Sequence, residues 1–251
     1  MTIYYQDDSV TLHHGKFEDH IGDLRGDLIV ADPPYGETSL EWDTWPNDWP
    51  SLAARHADSM WCFGSMRMFL DRRNEFTDWK LSQDVVWEKH NGPNAAADRF
   101  ARVHEHALHW YRGPWSEIYH QPPTTLDATP RTVRRKAKAA HWQGARGAST
   151  YTSQDGGPRL MRSVIFQRSM HGKAINETEK PVPLLEPLIA YACPPGGLVI
   201  DLFAGSCAAA VAVRHVGQGR RYVGFERREE QCEAAARRLS QGVLDFGEEP
   251  A

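Results

Sequence analysis

The sequence predicts an α/β fold, an open sheet with helices on both faces. Two stretches carry that expectation. Leu28-Ile29-Val30-Ala31 is a short continuous apolar run that reads as a buried strand, and it runs out into Asp32-Pro33-Pro34-Tyr35. Near the other end of the chain, Leu198-Val199-Ile200 is followed by the small-residue turn Asp201-Leu202-Phe203-Ala204-Gly205-Ser206. A helix-like stretch to Val216 comes next, then a second strand, Tyr222 to Phe225, closed by Glu226.

The remaining elements follow in order. Residues 2–14 hold short β-like runs, and Phe17 to Leu24 suits a brief helix. Gly36 to Pro50 is a loop carrying Trp42, Trp45 and Trp49, which suit either a base clamp or a loop anchor. Leu52–Ala57 reads as helix, Ser59–Phe63 as strand and Met66–Phe76 as helix. Trp79 to Glu88 and Val103 to Tyr111 are two β runs, expected to be neighbours. Gly113 to Gly172 is rich in Gly, Pro, Thr and Arg and is expected to be irregular. Pro183–Cys193 and Glu229–Leu239 read as helices, the second with acids first and Arg237-Arg238 late, as the helix dipole favours.

The chemistry sits where strands end. In open α/β sheets, ligands bind outside the carboxyl ends of the strands. Pro33 and Pro34 fix φ and remove two backbone donors, leaving a stiff turn whose carbonyls can only accept. A carboxylate, a fixed carbonyl and an aromatic face suit a planar base with an exocyclic amine. In the second unit, Gly205 permits close backbone approach, and an acid about 20 residues on is the usual partner of ribose hydroxyls. A full G-x-G-x-x-G is absent, which points to a nucleoside without a pyrophosphate.

Together these motifs resemble the β class of S-adenosylmethionine-dependent DNA amino-methyltransferases, the N6-adenine and N4-cytosine family. The similarity covers roughly residues 1–112 and 176–240, and includes Val85-Val86-Trp87-Glu88-Lys89, Arg102 to Leu108 and Lys180-Pro181. It implies a Rossmann-like class I methyltransferase sheet. Residues 1–112 would form its catalytic part, 113–175 an inserted target-recognition region and 176–251 its cofactor-binding part. It implies S-adenosyl-L-methionine as cofactor, with catalytic Asp32, Pro33, Pro34 and Tyr35. Lys180, Asp201, Phe203, Ala204, Gly205, Ser206 and Glu226 would be cofactor contacts. Double-stranded DNA would be the partner, with adenine N6 favoured over cytosine N4 because the motif begins with Asp. A homodimer and a link to restriction-modification also follow from the resemblance. Two departures stand out: Lys16 follows Gly15 where relatives carry an acid, and the cofactor turn continues Cys207-Ala208 where relatives carry glycine. A different class of reading is a non-catalytic DNA-binding protein that kept the fold; intact Asp32, Tyr35, Gly205 and Glu226 count against it.

Net charge is −4, yet between Ala128 and Gln154 there is no acid, and Arg131, Arg134, Arg135, Lys136, Lys138 and Arg146 lie there. Such a block suits phosphate contact, with a solvated loop as the plainer reading. Cys62, Cys193, Cys207 and Cys232 show no paired close spacing, so neither a disulfide framework nor a zinc site is expected. On strand spacing His104 and His106 share a face and His109 does not, so no metal site is assigned. No apolar run approaches 18 residues and the start lacks a signal pattern, so a cytoplasmic location without membrane contact is expected.

Overall fold

A computed structural model of the chain describes residues 2–92, 98–137, 147–170, 175 and 178–241. It divides into two compact units, one made of Met1–Gln121 with Ser163–Ala251, the other of Pro122–Arg162.

The first unit is built on a nine-stranded sheet. Its strands are β1 (Thr2–Gln6), β2 (Val10–His14), β3 (Leu28–Ala31), β4 (Ser59–Gly64), β5 (Lys80–Glu88) and β6 (His104–Tyr111), and later β11 (Val164–Phe166), β12 (Leu198–Asp201) and β13 (Arg221–Glu226). The spatial order is β1-β2-β13-β12-β3-β4-β6-β5-β11. Strands β2, β13, β12, β3 and β4 run parallel. Because β6 is antiparallel to both β4 and β5, β5 points the same way as that group.

The central strands are apolar on both sides, as a sheet covered by helices requires. Leu28, Val30, Trp61, Phe63 and Val199 face one cluster, packed under α4 (Val182–Ala192), α5 (Ala208–Val216) and α6 (Glu229–Ser240). Ile29, Ala31, Met60, Cys62 and Ile200 face the other, with α1 (Phe17–His20), α2 (Trp49–Ala53) and α3 (Met66–Asp71). The period-2 alternation along each strand thus feeds two cores, and the expected helices on both faces are present.

Some boundaries differ from the sequence reading. Helix α2 begins at Trp49 rather than Leu52, because Pro50 sits in its first turn, where the missing N–H costs nothing. The expected helix over 66–76 breaks after Asp71 into a 3-10 turn, Arg73–Phe76. Among its described residues, the stretch 113–172 holds five strands where irregular chain is expected. β11 joins the main sheet beside β5, and four further strands make up the second unit. These are β7 (Thr124–Ala128), paired with β10 (Gly157–Leu160), and β8 (Arg131–Arg135), paired with β9 (Ser149–Ser153). Thr-rich and Arg-rich strands with exposed faces leave no apolar alternation to read, which is why they escaped detection. Arg131, Arg134, Arg135 and Lys136 lie on or just after β8 and are exposed. Lys138 and Arg146 lie outside the described residues.

No helix among the described residues is long and apolar enough to cross a membrane.

Candidate active site

Three neighbouring parallel strands each end in an acid. Asp32 follows β3, Asp201 closes β12 and Glu226 closes β13. All three line one cavity of about 370 Å³, within the size range of small-ligand sites. Val30, Phe63, Leu202 and Phe225 supply apolar wall, and Lys16, Phe17, Trp42 and Lys180 also reach it.

Asp201 is held by its own turn. Its Oδ1 accepts the N–H of Phe203 at 3.1 Å, and its Oδ2 accepts the Tyr222 hydroxyl at 3.0 Å. The Tyr222 ring leans forward along β13 because Gly224, two residues on and on the same side, has no side chain; a Cβ there would stand 2.5 Å from the tyrosine oxygen. Burial pushes the Asp201 carboxyl up to about 7, with Asp32 and Glu226 adding to the rise against the two hydrogen bonds.

Glu226 is held in the same manner. One carboxylate oxygen accepts Gly205 N–H at 2.8 Å and the other accepts Arg228 N–H at 2.8 Å. Gly205 has φ +49, a conformation that glycine adopts without steric cost. Cys207 has φ +56 and, carrying a Cβ, must bear that cost. Ala204 N–H donates to Phe225 O, and the Phe203 ring packs edge-on against Phe17 and Trp49. Ser206 is buried at the end of the turn.

Asp32 has different partners. The Tyr35 hydroxyl donates to its Oδ1 at 2.8 Å, and Lys180 Nζ lies 2.5 Å from its Oδ2. Lys180 is only 7 % exposed; it also donates to Thr178 O at 3.3 Å and lies over the Tyr35 and Phe63 rings. On the far side, Glu105 Oε2 is 3.5 Å from the ammonium. Lys89 pairs with the other oxygen of Glu105. Burial raises the Asp32 pKa and Glu105 adds to it, against the pull of Lys180 and Tyr35. Burial alone would lower Lys180 and raise Glu105. Their mutual attraction, with Asp32 and Lys89, outweighs it and keeps both charged.

The sequence-selected residues therefore converge. Asp32, Pro34, Lys180, Asp201, Phe203, Ala204, Gly205, Ser206 and Glu226 line the same cavity, and Pro33 is buried beside it. Lys180 reaches Asp32 rather than standing apart from the catalytic turn. Several participants were missed. Glu105 and Lys89 look like ordinary strand-end charges in sequence, and only the pairing of β5 with β6 brings them under Asp32. Asp43 collects the N–H groups of Gly36, Glu37 and Thr38 and the Thr38 hydroxyl, fixing the loop after Tyr35. Trp45 and Trp49 are buried core anchors, Trp45 also reaching the cavity, and Trp42 lines the cavity under the Arg228 guanidinium. His104 and His106 do share a face, with rings 5.3 Å apart, whereas His109 is buried between Ser59 and Ser82.

Comparison with known proteins gives the family and the fold. The sequence model of a family described as DNA methylase, of the N6/N4 type, matches residues 26–237. The Type II methyltransferase M.HinfI of Haemophilus influenzae is 24% identical over 245 aligned positions, covering 85% of this chain; the chain spans 62% of that relative's length. The crystal structure of the M1.HpyAVI–SAM complex superposes with a TM-score of 0.61 at 21% identity, covering 92% of this chain and all of that one. The cytosine-N4-specific PvuII DNA methyltransferase superposes at 0.63 with 14% identity, covering 98% and 90%. The shared fold is that of the class I methyltransferases.

Proposed function

The chain belongs to the N6/N4 DNA methylase family, and from that premise we propose that it moves a methyl group from S-adenosyl-L-methionine to the N6 amine of an adenine in double-stranded DNA. The observation that carries this reading is the row of Asp32, Asp201 and Glu226 at adjacent strand ends around one cavity, with the Pro33-Pro34-Tyr35 turn beside it.

The cavity suits the cofactor. Bound there, S-adenosylmethionine supplies an electrophilic methyl on a sulfonium. Glu226 faces the cavity as the acceptor for ribose hydroxyls, and the turn Phe203–Ser206 lets backbone approach. Lys180 closes the side nearest Asp32.

The target amine is a poor nucleophile because its lone pair is delocalised into the ring. Asp32 accepts one of its N–H groups and the Pro33 carbonyl the other, which draws the nitrogen toward sp³ geometry. The N–CH₃ bond forms as the S–CH₃ bond breaks. The proton then leaves the nitrogen to Asp32, whose raised pKa suits it to receive one, and passes to solvent. Tyr35 stacks on the base while its hydroxyl holds Asp32 in place. A base inside a duplex cannot reach the cavity, so the nucleotide is flipped out. Positioning and fixed electrostatics supply most of the rate.

Contacts to DNA are assigned to the Pro122–Arg162 unit, within the 113–175 recognition region, through Arg131, Arg134, Arg135 and Lys136. Replacing Arg134 and Arg135 together by alanine should lower the salt slope of DNA binding by about two, about one per lost phosphate contact. A slope equal to that of the unaltered protein would return β8 to the status of a solvated hairpin.

Cytosine N4 is the second reading, favoured by the fold-level likeness to a cytosine-N4-specific enzyme. Adenine is preferred because the catalytic motif begins with Asp. Sequencing DNA from cells that express the protein, with a readout of modified bases, tests both. N6-methyladenine at one short sequence is expected. N4-methylcytosine would move the target base, and an absence of new methylation would overturn the reading.

A further inference from the structure

We propose that Glu105 is a positioning residue for methyl transfer, acting as the second seat of the Lys180 ammonium. The proposal rests on the methyl-transfer reading and adds a moving part to it.

In this structure the Lys180 ammonium sits on Asp32, 2.5 Å from Oδ2. Oδ1 is already taken by the Tyr35 hydroxyl. Each oxygen keeps a second lone pair, but an arriving amine is held best where one of the two present donors withdraws. Tyr35 is a poor choice, since its ring belongs to the rigid Pro-Pro turn. Lys180 hangs on a flexible four-carbon stem just before α4 and carries three N–H donors.

The structure holds a place for it to go. Glu105 Oε2 lies 3.5 Å from Lys180 Nζ, and no hydrogen bond reaches this buried oxygen among the described residues. The other oxygen of Glu105 is taken by Lys89, which is itself anchored over the Trp87 ring at 4.4 Å. Lys89 thus fixes the carboxylate while leaving one oxygen aimed at Lys180. A shift of the ammonium toward Glu105 satisfies that oxygen and frees Asp32 Oδ2 for the amine.

The electrostatics of the reaction favour the same move. The amine nitrogen gains positive charge as the methyl arrives. An ammonium seated on Asp32 would oppose that charge, whereas one seated on Glu105 lies a step further back. Before substrate arrives, the ammonium on Asp32 works against the rise that burial imposes on its carboxyl.

The test uses tritiated S-adenosylmethionine and plasmid DNA from a host lacking methyltransferases. Glu105→Gln removes the rival anion, so Lys180 should stay on Asp32. The turnover rate should fall by roughly tenfold or more, while cofactor affinity by calorimetry stays unchanged. Adding Lys180→Met, which keeps the reach and removes the charge, should raise the rate several-fold above Glu105→Gln alone, a recovery that a merely structural carboxylate would not produce. If Glu105→Gln fails to fold, Glu105→Asp withdraws the carboxylate by one methylene, keeps its charge for Lys89, and should slow turnover in the same direction. Full turnover in the folded Glu105 variant overturns the proposal. So does a double variant no faster than the single one. Unaltered protein that methylates none of this DNA would instead remove the functional reading, and this inference with it.

Discussion

Asp32 and Asp201 occupy equivalent places on neighbouring strands, yet they are held by different kinds of partner. Asp201 takes the N–H of the residue two positions on, Phe203, and Glu226 likewise takes Arg228 N–H. The residue two positions beyond Asp32 is Pro34, which has no N–H to give. The same turn that tethers the other two acids leaves Asp32 to side chains, Tyr35 and Lys180. Backbone donors cannot leave without unfolding the turn; side-chain donors can. Asp201 and Glu226 are thus fixed parts of the wall, and the partners of Asp32 are exchangeable.

That contrast can be broken at either end. Asp32→Ala should cost the most, a loss in turnover of roughly 10²–10³ with cofactor affinity retained, the scale for removing one preorganised electrostatic group. Calorimetry beside a methylation assay checks both halves; a variant that methylates DNA near the normal rate would remove Asp32 from the mechanism.

Asp201 gives the next effect, in stability. Its carboxyl titrates near 7 in the fold against an ordinary value of 3.8. A raised carboxyl favours the fold only while protonated, so its contribution is present below about pH 4 and is lost as pH climbs through about 7. Asp201→Asn lacks this titration. Relative to the unaltered protein it should gain stability between those limits, by no more than about 4 kcal/mol. Melting curves of both proteins across pH 4–8 read the difference, and a gap independent of pH would refute it.

Glu226→Ala should weaken cofactor binding by about 1.5–3 kcal/mol, the range for a hydrogen bond to a charged group. Unchanged affinity in a folded variant would relocate the ribose. Pro34→Ala sharpens the comparison most directly. It restores an N–H two residues past Asp32 and should tether that carboxylate as Phe203 tethers Asp201. Turnover should drop about tenfold, the equivalent of about 1.4 kcal/mol, with the fold kept. Equal turnover would mean that the prolines only stiffen the turn.

Much of this is legible in the sequence alone. Continuous apolar runs marked the buried strands, and acids directly after them marked the site, because both signals are local. What escaped depends on pairing across distance. Glu105 belongs to the site only because β6 lies between β4 and β5. Lys180 was placed beside the cofactor by its neighbours in sequence, but its long stem delivers the charge to Asp32. Strands β7 to β10 were unreadable for another reason: they bury little, so no hydrophobic period is imposed on them. Cys207 was legible as a departure, though not as a strained one; its positive φ emerges only from the turn it closes.

The seam between β12 and β3 has a consequence for how the protein comes into being. Leu198 N–H donates to the Asp27 carboxylate, a contact bridging 171 residues, and Val199 pairs with Leu28 beside it. During synthesis β3 and β4 emerge early, with an open apolar edge where β12 will later insert. Asp201, the turn Phe203–Ser206 and Glu226 arrive after that edge has been waiting for most of the chain's translation. The middle of the sheet closes only once β12 and then β13 have emerged, and until then β3, which runs out into Asp32, presents an unpaired edge.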